Sequence, residues 1–582
     1  MVAPVPPVPV QNLPLGYDIS QDNGNQAEGL AEFAALKQVG KVFGIAKLAQ
    51  VGVDRAFDTR YPLIRDAGMI RGSYDFFAPV DIADQIAFVV DHLKRLTPGD
   101  LAPAIDLEDG SRALDRKYNY SAGGAGRDNL FADISTWLNA VETRLGRAPI
   151  VYTGVLWREQ FSAANYPNLP DMSVYPLWTA HPIPVTQADN ATGEVLNGWS
   201  DYTFWQYAED MRGAQKKGQP ARLWGVDPYV EPGTERFDGI DYDAFNGSIY
   251  ALRGLADLGH TAPHIAGGNE CIAYTAPDGT LHLLEFAGGA WTDQDLSGVT
   301  PAPPHGDPAA AAADAAQVIL YRTADGALIA LTRALGDGNA PWSAATLATD
   351  LIDDPFLMRI GNELHGVFCD NVDEQIHFWR AADGSWQREP AGDPNVLPPP
   401  DAATGSGVAY VYQNALHVVA RAGPDGHLVD IFKGDGGRPF EDFTTTAADT
   451  NGQSPPAATY RPTTFTPPGA APRIVFRGVR GAIWLVERDT LAAKNLTALA
   501  NAPLAAGSPS AVFTDRCHIV YRGTNGAINE IFDDAGTWRT GIVSAFGAAD
   551  PTAYVDTNGN AAVSFVANDG VHAVRLVNGA WV

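Results

Sequence analysis

Apolar and polar residues follow two different rhythms along this chain. Up to about residue 252, short apolar runs typical of strands alternate with segments that repeat apolar residues every three or four positions. Residues 72–77 and 101–107 are of the first kind, whereas residues 84–95 and 130–145 have the spacing of amphipathic helices. Strands that alternate with helices predict a parallel sheet, and about 240 residues suit a closed, TIM-like (β/α) barrel.

Beyond residue 262 the helical spacing mostly disappears, and short strand pairs joined by tight turns recur. Residues 519–528 form the clearest copy, in which Asn525-Gly526 is a hairpin turn that requires positive φ angles. Turn glycines return at intervals of roughly 45 to 55 residues, the length of one four-stranded blade. The third copy has Asp373-Glu374 where the glycine is expected. Seven copies predict an all-β, seven-bladed propeller, and an irregular array of β-sandwiches is the alternative.

The chain of 582 residues is too long for one hydrophobic core. The patterns divide it into a proline-rich arm (1–11), a barrel (12–252), a linker (253–262) and a propeller (263–582). The arm lacks the basic start and the uninterrupted apolar core of a signal peptide, and its prolines favour an extended conformation. No run of about 18 apolar residues occurs, so we expect no transmembrane span.

Composition narrows the classes of ligand. The formal net charge is −28, and so acidic a surface repels phosphates, which argues against a nucleic-acid partner. The three cysteines (Cys271, Cys369 and Cys517) are odd in number and widely spaced, so we interpret them as small core residues rather than as a disulfide framework. The sequence has neither a His/Cys cluster nor a phosphate-binding loop, so we expect no metal and no cofactor.

The strongest chemical signal is an apolar run, residues 101–107, that leads into two carboxylates. Asp106 and Glu108 are two positions apart, so on a strand they point to the same side. At the carboxyl end of a barrel strand, that side is the usual active-site mouth. Two like charges held close together raise one pKa, which yields the protonated acid beside an ionised partner that glycoside hydrolysis needs. A solvated strand end is the alternative interpretation.

Two further aspartates strengthen the catalytic interpretation. Asp18 ends the first predicted strand, and Asp241 lies near the close of the barrel segment. The first and last strands of a closed barrel are neighbours, so we expect Asp18 and Asp241 to converge with Asp106 and Glu108.

Several short segments occur in an order that is specific as a set. They are residues 16–20 (GYDIS), 43–47 (FGIAK), 72–74 (GSY), 106–108 (DLE), 150–154 (IVYTG), 177–180 (LWTA), 205–207 (WQY) and 240–247 (IDYDAFNG). Together they resemble glycoside hydrolase family 25, the lysozymes described from fungi, phages and streptomycetes. The resemblance covers about 240 residues and implies cleavage of the β-1,4 bond between N-acetylmuramic acid and N-acetylglucosamine in bacterial peptidoglycan.

The resemblance also implies residue roles. Glu108 would be the general acid, and Asp18, Asp106 and Asp241 would shape the electrostatics, with Asp106 a candidate for orienting the acetamido group of the substrate. Acetamido participation and a protein nucleophile both stay open as the way in which the oxocarbenium-like state is stabilised. The implied substrate contacts are Lys47, Tyr74, Asp75, Tyr152, Trp178, Trp205 and Tyr207. For each aromatic residue, ordinary barrel core is the alternative.

The sequence departs from the family pattern in three places. Asp75 stands where the family usually has histidine, and Gln50 stands where it usually has glutamate. Residues 209–237 form a long insertion that carries Lys216 and Lys217, and we expect it to form a lid or wall over the groove. These departures leave Glu108 in place but affect the expected details of substrate binding.

The second half resembles sugar-binding propellers of the bacterial and fungal lectin type, with 521–528 (YRGTNGAI) as the best match. Sugar pockets in such lectins lie between blades, which makes Arg322, Arg477, Arg522 and Trp484 candidate contacts. The alternative is that these residues staple each blade to the next.

The combined expectation is a muramidase that is secreted or delivered to the bacterial wall, with a propeller that binds glycans. Several weak sugar sites would prolong residence on a polymer. The alternatives are a catalytically inactive carbohydrate-binding protein, a hydrolase of chitin-like glycans, and a propeller that docks proteins.

Overall fold

The structure is a computed structural model that describes most of the chain. The described residues are all except 1–9, 22–28, 111, 183–191, 209–239, 314, 337–339, 382, 393–404, 406 and 433–439. The predicted arm therefore lies mostly, and the 209–237 insertion entirely, outside the described residues. The chain divides into two compact units, Met1–Glu142 with Ala148–Leu252 and Thr143–Arg147 with Arg253–Val582.

The first unit contains a closed barrel of eight strands that follow each other in chain order. The strands are β1 (Leu15–Ile19), β2 (Lys41–Ala49), β3 (Ile70–Phe76), β4 (Ala104–Leu107), β5 (Ile150–Thr153), β6 (Leu177–Ala180), β7 (Phe204–Ala208) and β8 (Asp241–Phe245). Strands β1 to β7 are parallel to one another, but β8 is antiparallel to both β7 and β1. The predicted barrel is therefore confirmed, whereas the expectation of a wholly parallel sheet is wrong for its last strand.

Helices accompany the barrel strands. They are α1 (Leu30–Gln38), α2 (Phe57–Asp66), α3 (Ile82–Leu93), α4 (Ala113–Tyr118), α5 (Ala125–Leu145), α6 (Val155–Gln160) and α7 (Ile249–Leu255). Asp81 caps the amino end of helix α3, because its carboxylate accepts the Ala83 N–H at 2.8 Å, and the helix buries Ile86, Val89 and Leu93. None of the described helices is long and apolar enough to cross a membrane.

Strand β4 is shorter than the apolar run that predicts it. The run begins at Leu101, but the strand begins at Ala104, because Pro103 has no N–H to donate to a neighbouring strand. Below the carboxylates, the rings of Phe43 and Phe204 meet at 5.4 Å inside the barrel. Gly16 leaves room for them, since a Cβ at this position would lie 2.3 Å from the Phe43 ring.

The second unit contains seven antiparallel sheets of four strands, which confirms the predicted seven-bladed propeller. Blade 1 consists of Ala262–Ala266, Asn269–Thr275, Leu281–Ala287 and Ala290–Asp295, and blade 2 of Ala309–Ala313, Ala316–Arg322, Leu328–Ala334 and Ser343–Ala348. Blade 3 consists of Phe356–Ile360, Glu363–Cys369, Gln375–Arg380 and Trp386–Pro390, and blade 4 of Val408–Tyr412, Ala415–Ala422, His427–Phe432 and Phe440–Asp442. Blade 5 consists of Ala458–Phe465, Arg473–Gly478, Ile483–Glu487 and Ala493–Asn495, and blade 6 of Ser510–Phe513, Cys517–Arg522, Ile528–Asp534 and Thr537–Ser544. Blade 7 consists of Thr552–Val555, Ala561–Ala567, Gly570–Val577 and Ala580–Trp581. Two short helices follow the last strands of two blades: α8 (Phe443–Thr446) follows blade 4, and α9 (Leu496–Ala500) follows blade 5.

The blade turns have the conformation that their sequences predict. Gly326 and Gly526 have φ angles of 81° and 75°. In blade 3, where glycine is missing, Asp373 adopts a φ of 66°, a region that aspartate tolerates better than most residues. The three cysteines are buried and free, as expected of core residues.

Each blade is built from four consecutive strands, so the first and the last blade share no strand. Contacts between side chains join blade 7 to blade 1 instead. The hydroxyl groups of Thr261 and Ser564 lie 2.6 Å apart. Glu270 of blade 1 accepts hydrogen bonds from Arg575 at 2.7 Å and from Tyr554 at 3.2 Å. Buried polar contacts therefore close the ring at this junction.

Candidate active site

The predicted catalytic carboxylates converge at one end of the barrel. Asp18 lies one residue before the end of β1, and Glu108 directly follows β4. Asp241 is the first residue of β8 and pairs with Asp18, because these two strands are antiparallel. The direction of β8 thus brings its beginning, rather than its end, to the carboxyl ends of the other strands. Within the sheet, Asp106 pairs with Tyr152 of β5.

Three aspartates near Glu108 are almost completely buried. Burial raises the pKa of Asp106 well above the usual range of an aspartate, and the charge of Glu108 raises it further. Burial likewise raises the pKa of Asp18, to which repulsion from Asp243 adds. Burial also raises the pKa of Asp243 well above its usual range. The barrel mouth therefore retains protons at pH values at which exposed carboxyl groups have lost them.

A chain of hydrogen bonds links three strands beneath Glu108. Tyr152 Oη donates to Gln206 Oε1 at 2.8 Å, and Gln206 Nε2 donates to Asp18 Oδ2 at 2.8 Å. Tyr152 Oη also lies 3.5 Å from Glu108 Oε1. The carboxamide of Gln206 therefore connects the aspartate of β1 to the tyrosine that approaches the expected acid.

Two members of this site, Gln206 and Asp243, are absent from the residues that the sequence predicts as functional. Asp243 is fully buried and accepts a hydrogen bond from Trp178 Nε1 at 2.8 Å. A signal for it was present, because Asp241 and Asp243 are two positions apart and share one face of a strand. Gln206 lies between Trp205 and Tyr207, and the sequence pattern favours these two aromatic residues as substrate contacts.

Four of the predicted substrate contacts lie together in the barrel mouth. Tyr74 and Tyr152 meet the ring of Trp178 edge-on at 6.4 and 4.5 Å. Lys47 Nζ lies 6.0 Å from the Tyr74 ring centroid and donates to Gln50 Oε1 at 2.9 Å. The three aromatic residues are largely buried, so they form the floor of the mouth rather than an exposed wall.

Three other predicted contacts point away from the mouth. Asp75 is fully buried and accepts a hydrogen bond from Trp137 Nε1 at 3.1 Å. Trp205 and Tyr207 lie on the face of β7 opposite to Gln206, and Trp205 Nε1 donates to a backbone carbonyl at 2.8 Å. The structure therefore places these three side chains in the packing around the barrel.

An open groove of about 690 Å³ begins at Glu108. It is bordered by loops that follow β4, β5 and β6, and both Arg112 and His181 line it. Glu108 is half-buried at its edge, whereas Asp106 is only 5% exposed. Of these two carboxylates, Glu108 is therefore the more accessible to a ligand in the groove.

Asp109 holds the loop that carries the groove beyond Glu108. Its carboxylate accepts the backbone N–H groups of Leu114 and Asp115 at 3.0 and 2.8 Å, and the hydroxyl of Tyr120 at 2.7 Å. These three bonds tie the residue after Glu108 to helix α4, so the position of Glu108 is constrained by its neighbour.

The predicted sugar contacts of the propeller are mostly internal. Arg477 is fully buried and donates to Ala505 O at 2.9 Å and to Thr459 Oγ1 at 2.6 Å. Arg522 Nε donates to Asp550 Oδ1 at 3.1 Å, which joins blade 6 to the start of blade 7.

Arg322 and Trp484 show a similar pattern. Arg322 Nε lies 3.8 Å from Asp354 Oδ1, at the start of the following blade. Trp484 is partly buried against the apolar core around Phe476. These contacts correspond to the alternative in which the recurring arginines and tryptophan staple the propeller.

Among the described residues, one group has three side chains in a metal-ligand arrangement: Asp257, His260 and Asp550. Burial alone would lower the pKa of His260, but its hydrogen bond to Asp550 and the charges of Asp307 and Asp257 raise it to about 9. A protonated imidazole donates rather than accepts, so ion pairing accounts for this cluster.

Comparisons with known proteins find similarity to part of this chain. Residues 17–215 match the family model for "Glycosyl hydrolases family 25", a span that includes Asp18, Glu108 and Gln206 but ends before Asp241. The uncharacterized protein YegX of Escherichia coli O6:H1 strain CFT073 is 27% identical over 205 residues, which are 35% of this chain and 58% of YegX. The chain thus spans less than two thirds of the length of this curated relative.

Solved structures similar to the chain include a muramidase and a lysozyme. A muramidase from Acremonium alcalophilum is 23% identical, with a TM-score of 0.31, over 42% of this chain and 98% of that protein. A bacterial lysozyme from Streptomyces coelicolor is 21% identical, with a TM-score of 0.31, over 42% of this chain and 96% of that protein. Residues 17–215, which include strands β2 to β7 of the eight-stranded barrel, therefore carry a glycosyl hydrolases family 25 domain.

Proposed function

We propose that the barrel hydrolyses peptidoglycan at the β-1,4 bond between N-acetylmuramic acid and N-acetylglucosamine, with Glu108 as the general acid. The observation that carries this proposal is the position of Glu108, half-buried at an open groove and backed by Asp18, Asp106 and Asp243. The groove of about 690 Å³ is large enough for sugar units of a glycan strand. On this basis the protein acts outside the cell, at the bacterial wall.

The site suits an oxocarbenium-like transition state. Glu108 faces the groove and delivers the proton to the leaving oxygen. Asp106 Oδ1 is buried and has no hydrogen-bond partner among the described residues, so it is suited to accept the N–H of the acetamido group of the substrate. In this proposal Asp106 orients that group toward the anomeric carbon, and the surrounding carboxyl groups favour the developing positive charge.

The test is the release of reducing ends from purified peptidoglycan by the full chain and by Glu108→Gln, with the product ends identified by mass spectrometry. We expect N-acetylmuramic acid at the new reducing ends and a loss of about 1,000-fold in kcat for Glu108→Gln. Glu159→Gln is the matched control, because Glu159 is exposed in the same groove and the substitution is identical. An active Glu108→Gln variant would refute the assigned acid.

The same assay separates the alternatives. If chitin oligosaccharides are cleaved and peptidoglycan is not, the bond assignment is wrong and the enzyme is a chitin-type hydrolase. If the folded chain binds peptidoglycan but releases no reducing ends from either substrate, the barrel is an inactive carbohydrate-binding domain.

We further propose that the propeller binds glycans in clefts between its blades. Arg333 of blade 2 lies 4.9 Å over the ring of Trp342 and donates to Gln317 Oε1 at 2.6 Å and to Glu285 of blade 1 at 3.3 Å. The guanidinium covers a face of the ring, so in this proposal Arg333 and the polar groups of the two blades bind the hydroxyl groups of a sugar beside the aromatic ring.

This second proposal is tested with the full chain that carries Glu108→Gln, so that the ligand stays intact. Retention on insoluble peptidoglycan and on a glycan array should fall when Arg333→Ala is added. Arg388→Ala is the control, because Arg388 is exposed on the outer strand of blade 3. Equal retention by both variants would overturn the assignment of this cleft, and binding of a protein partner instead of any glycan would favour a docking platform.

A further inference from the structure

Gln206 occupies a central place in the barrel mouth, between two ionisable side chains. It is 3% exposed, and both ends of its carboxamide are bonded at 2.8 Å, the nitrogen to Asp18 and the oxygen to Tyr152. Bonds at both ends orient the amide, since its NH₂ group donates to Asp18 Oδ2, an oxygen that can accept whether or not the other oxygen of Asp18 carries a proton, and its carbonyl oxygen is left to the phenol.

The orientation of this amide decides where the phenol proton of Tyr152 points. A phenol has one proton, and the contact to Gln206 Oε1 at 2.8 Å is far shorter than the contact to Glu108 Oε1 at 3.5 Å. The proton therefore goes to Gln206, and the phenol oxygen presents its lone pairs toward Glu108.

We propose that Gln206 is a positioning residue for the hydrolytic reaction, which it serves by keeping Tyr152 a hydrogen-bond acceptor toward Glu108. The inference rests on the proposed function, in which Glu108 must be protonated to act. A phenol proton given to Glu108 would stabilise the ionised carboxylate, and Gln206 prevents this by binding that proton. The phenol oxygen then accepts the acidic proton of Glu108 and holds it at the edge of the groove.

Other charged groups lie close to Glu108. Asp106 and Asp18 interact with its charge, and Lys47 interacts with Asp106. The charged residues that line the groove with Glu108 are Asp109, Arg112, Asp115, Arg158, Glu159 and His181. These side chains remain in every variant described below, but Gln206→Met also removes the hydrogen bond that lowers the pKa of Asp18. The Tyr152→Phe background retains that second effect and therefore isolates the part that passes through the phenol.

The experiment is a double-mutant cycle on the full chain with Gln206→Met, Tyr152→Phe and both together, with kcat and KM on peptidoglycan followed across pH. Gln206→Met frees the phenol proton, so we expect the alkaline limb of the kcat profile to move to lower pH and kcat at neutral pH to fall about tenfold, with KM changed much less. In the Tyr152→Phe background, Gln206→Met should cause no further shift of the limb. A limb that does not move, or that moves equally without Tyr152, would overturn the inference.

Gln206→Glu provides a second test with a defined sign. Its carboxyl group accepts the phenol proton in either protonation state, so the alkaline limb should not move to lower pH. If Gln206→Met does not fold, as judged by its thermal transition, a downward shift in Gln206→Glu would overturn the inference and its absence would support it. No activity in the unsubstituted chain would refute the proposed function itself, whereas an active chain with an unmoved limb in Gln206→Met would refute only the role of Gln206.

Discussion

Asp106 in the barrel mouth and Asp550 in the propeller are both buried aspartates, yet their surroundings differ. Asp106 lies near the negative charges of Glu108 and Asp18, and one of its oxygens has no hydrogen-bond partner among the described residues. Asp550 accepts from the Ser508 N–H at 2.6 Å and from Arg522 at 3.1 Å.

The pKa values of the two aspartates move in opposite directions. Burial raises the pKa of Asp106, and nearby carboxylates raise it further. Burial alone would also raise the pKa of Asp550, but the charge of Arg522 and the hydrogen bond from His260 hold it below the usual range. A buried carboxylate with cationic partners serves mainly to hold its surroundings together, whereas one among like charges is suited to a ligand or a proton.

The largest expected effect is on the stability of the propeller. Asp550→Asn leaves Arg522 and His260 without their carboxylate, so we expect the free energy of unfolding of the propeller to fall by about 4 kcal/mol. Differential scanning calorimetry of the full chain measures this change. Asp569→Asn is the control, because the Asp569–His572 pair is exposed and should contribute little to the free energy of unfolding. Equal effects of the two substitutions would contradict the assigned role of Asp550.

The next effect concerns activity. Asp106→Asn should lower kcat about 100-fold, since the amide oxygen still accepts the substrate N–H but the amide cannot take up the negative charge that Lys47 and the developing positive charge favour at this position. The thermal transition of the barrel should not fall, because the substitution removes a buried acid that lacks a partner for one oxygen. A destabilised variant with unchanged kcat would reverse the comparison with Asp550.

The third effect is a pH dependence of propeller stability. The pKa of His260 is about 9 in the folded chain, above the ordinary value of 6.5 for histidine. The stability it contributes is therefore fully present below about pH 6.5 and is lost as the pH rises through about 9. We expect His260→Gln to cost about 1–2 kcal/mol at pH 6 and much less at pH 10, as measured by thermal unfolding at both pH values. A cost that grows with pH would contradict the ion-pair assignment.

The smallest expected effect is that of a substitution at Asp75, a barrel aspartate that does not line the groove. Asp75→Asn should change kcat/KM less than threefold, roughly 0.6 kcal/mol, because the side chain is buried beside Trp137 and does not line the groove. Burial raises the pKa of Asp75 well above its usual range, so a neutral amide resembles the form that is present. A large rise in KM would return Asp75 to the substrate site.

Much of this site follows from local rules that any reader of the sequence can apply. Alternation along a strand places Asp106 and Glu108 on one side, and positive φ angles at turn glycines mark the blades. The same alternation places Gln206 on the opposite face of its strand from Trp205 and Tyr207, but it does not determine which of the two faces points into the barrel. That decision depends on all eight strands closing together, which is why the two aromatic residues were predicted as contacts and Gln206 was not.

The covalent order of the chain thus established the barrel, the repeated blades and the Asp-x-Glu pair, because each depends on residues within a few positions of one another. The direction of β8, the bridge from Gln206 to Asp18 across 188 positions, and the burial of Arg477 were settled only by folding. These features depend on which distant side chains meet, and the free energy of a buried hydrogen bond or ion pair is set by that meeting rather than by local sequence.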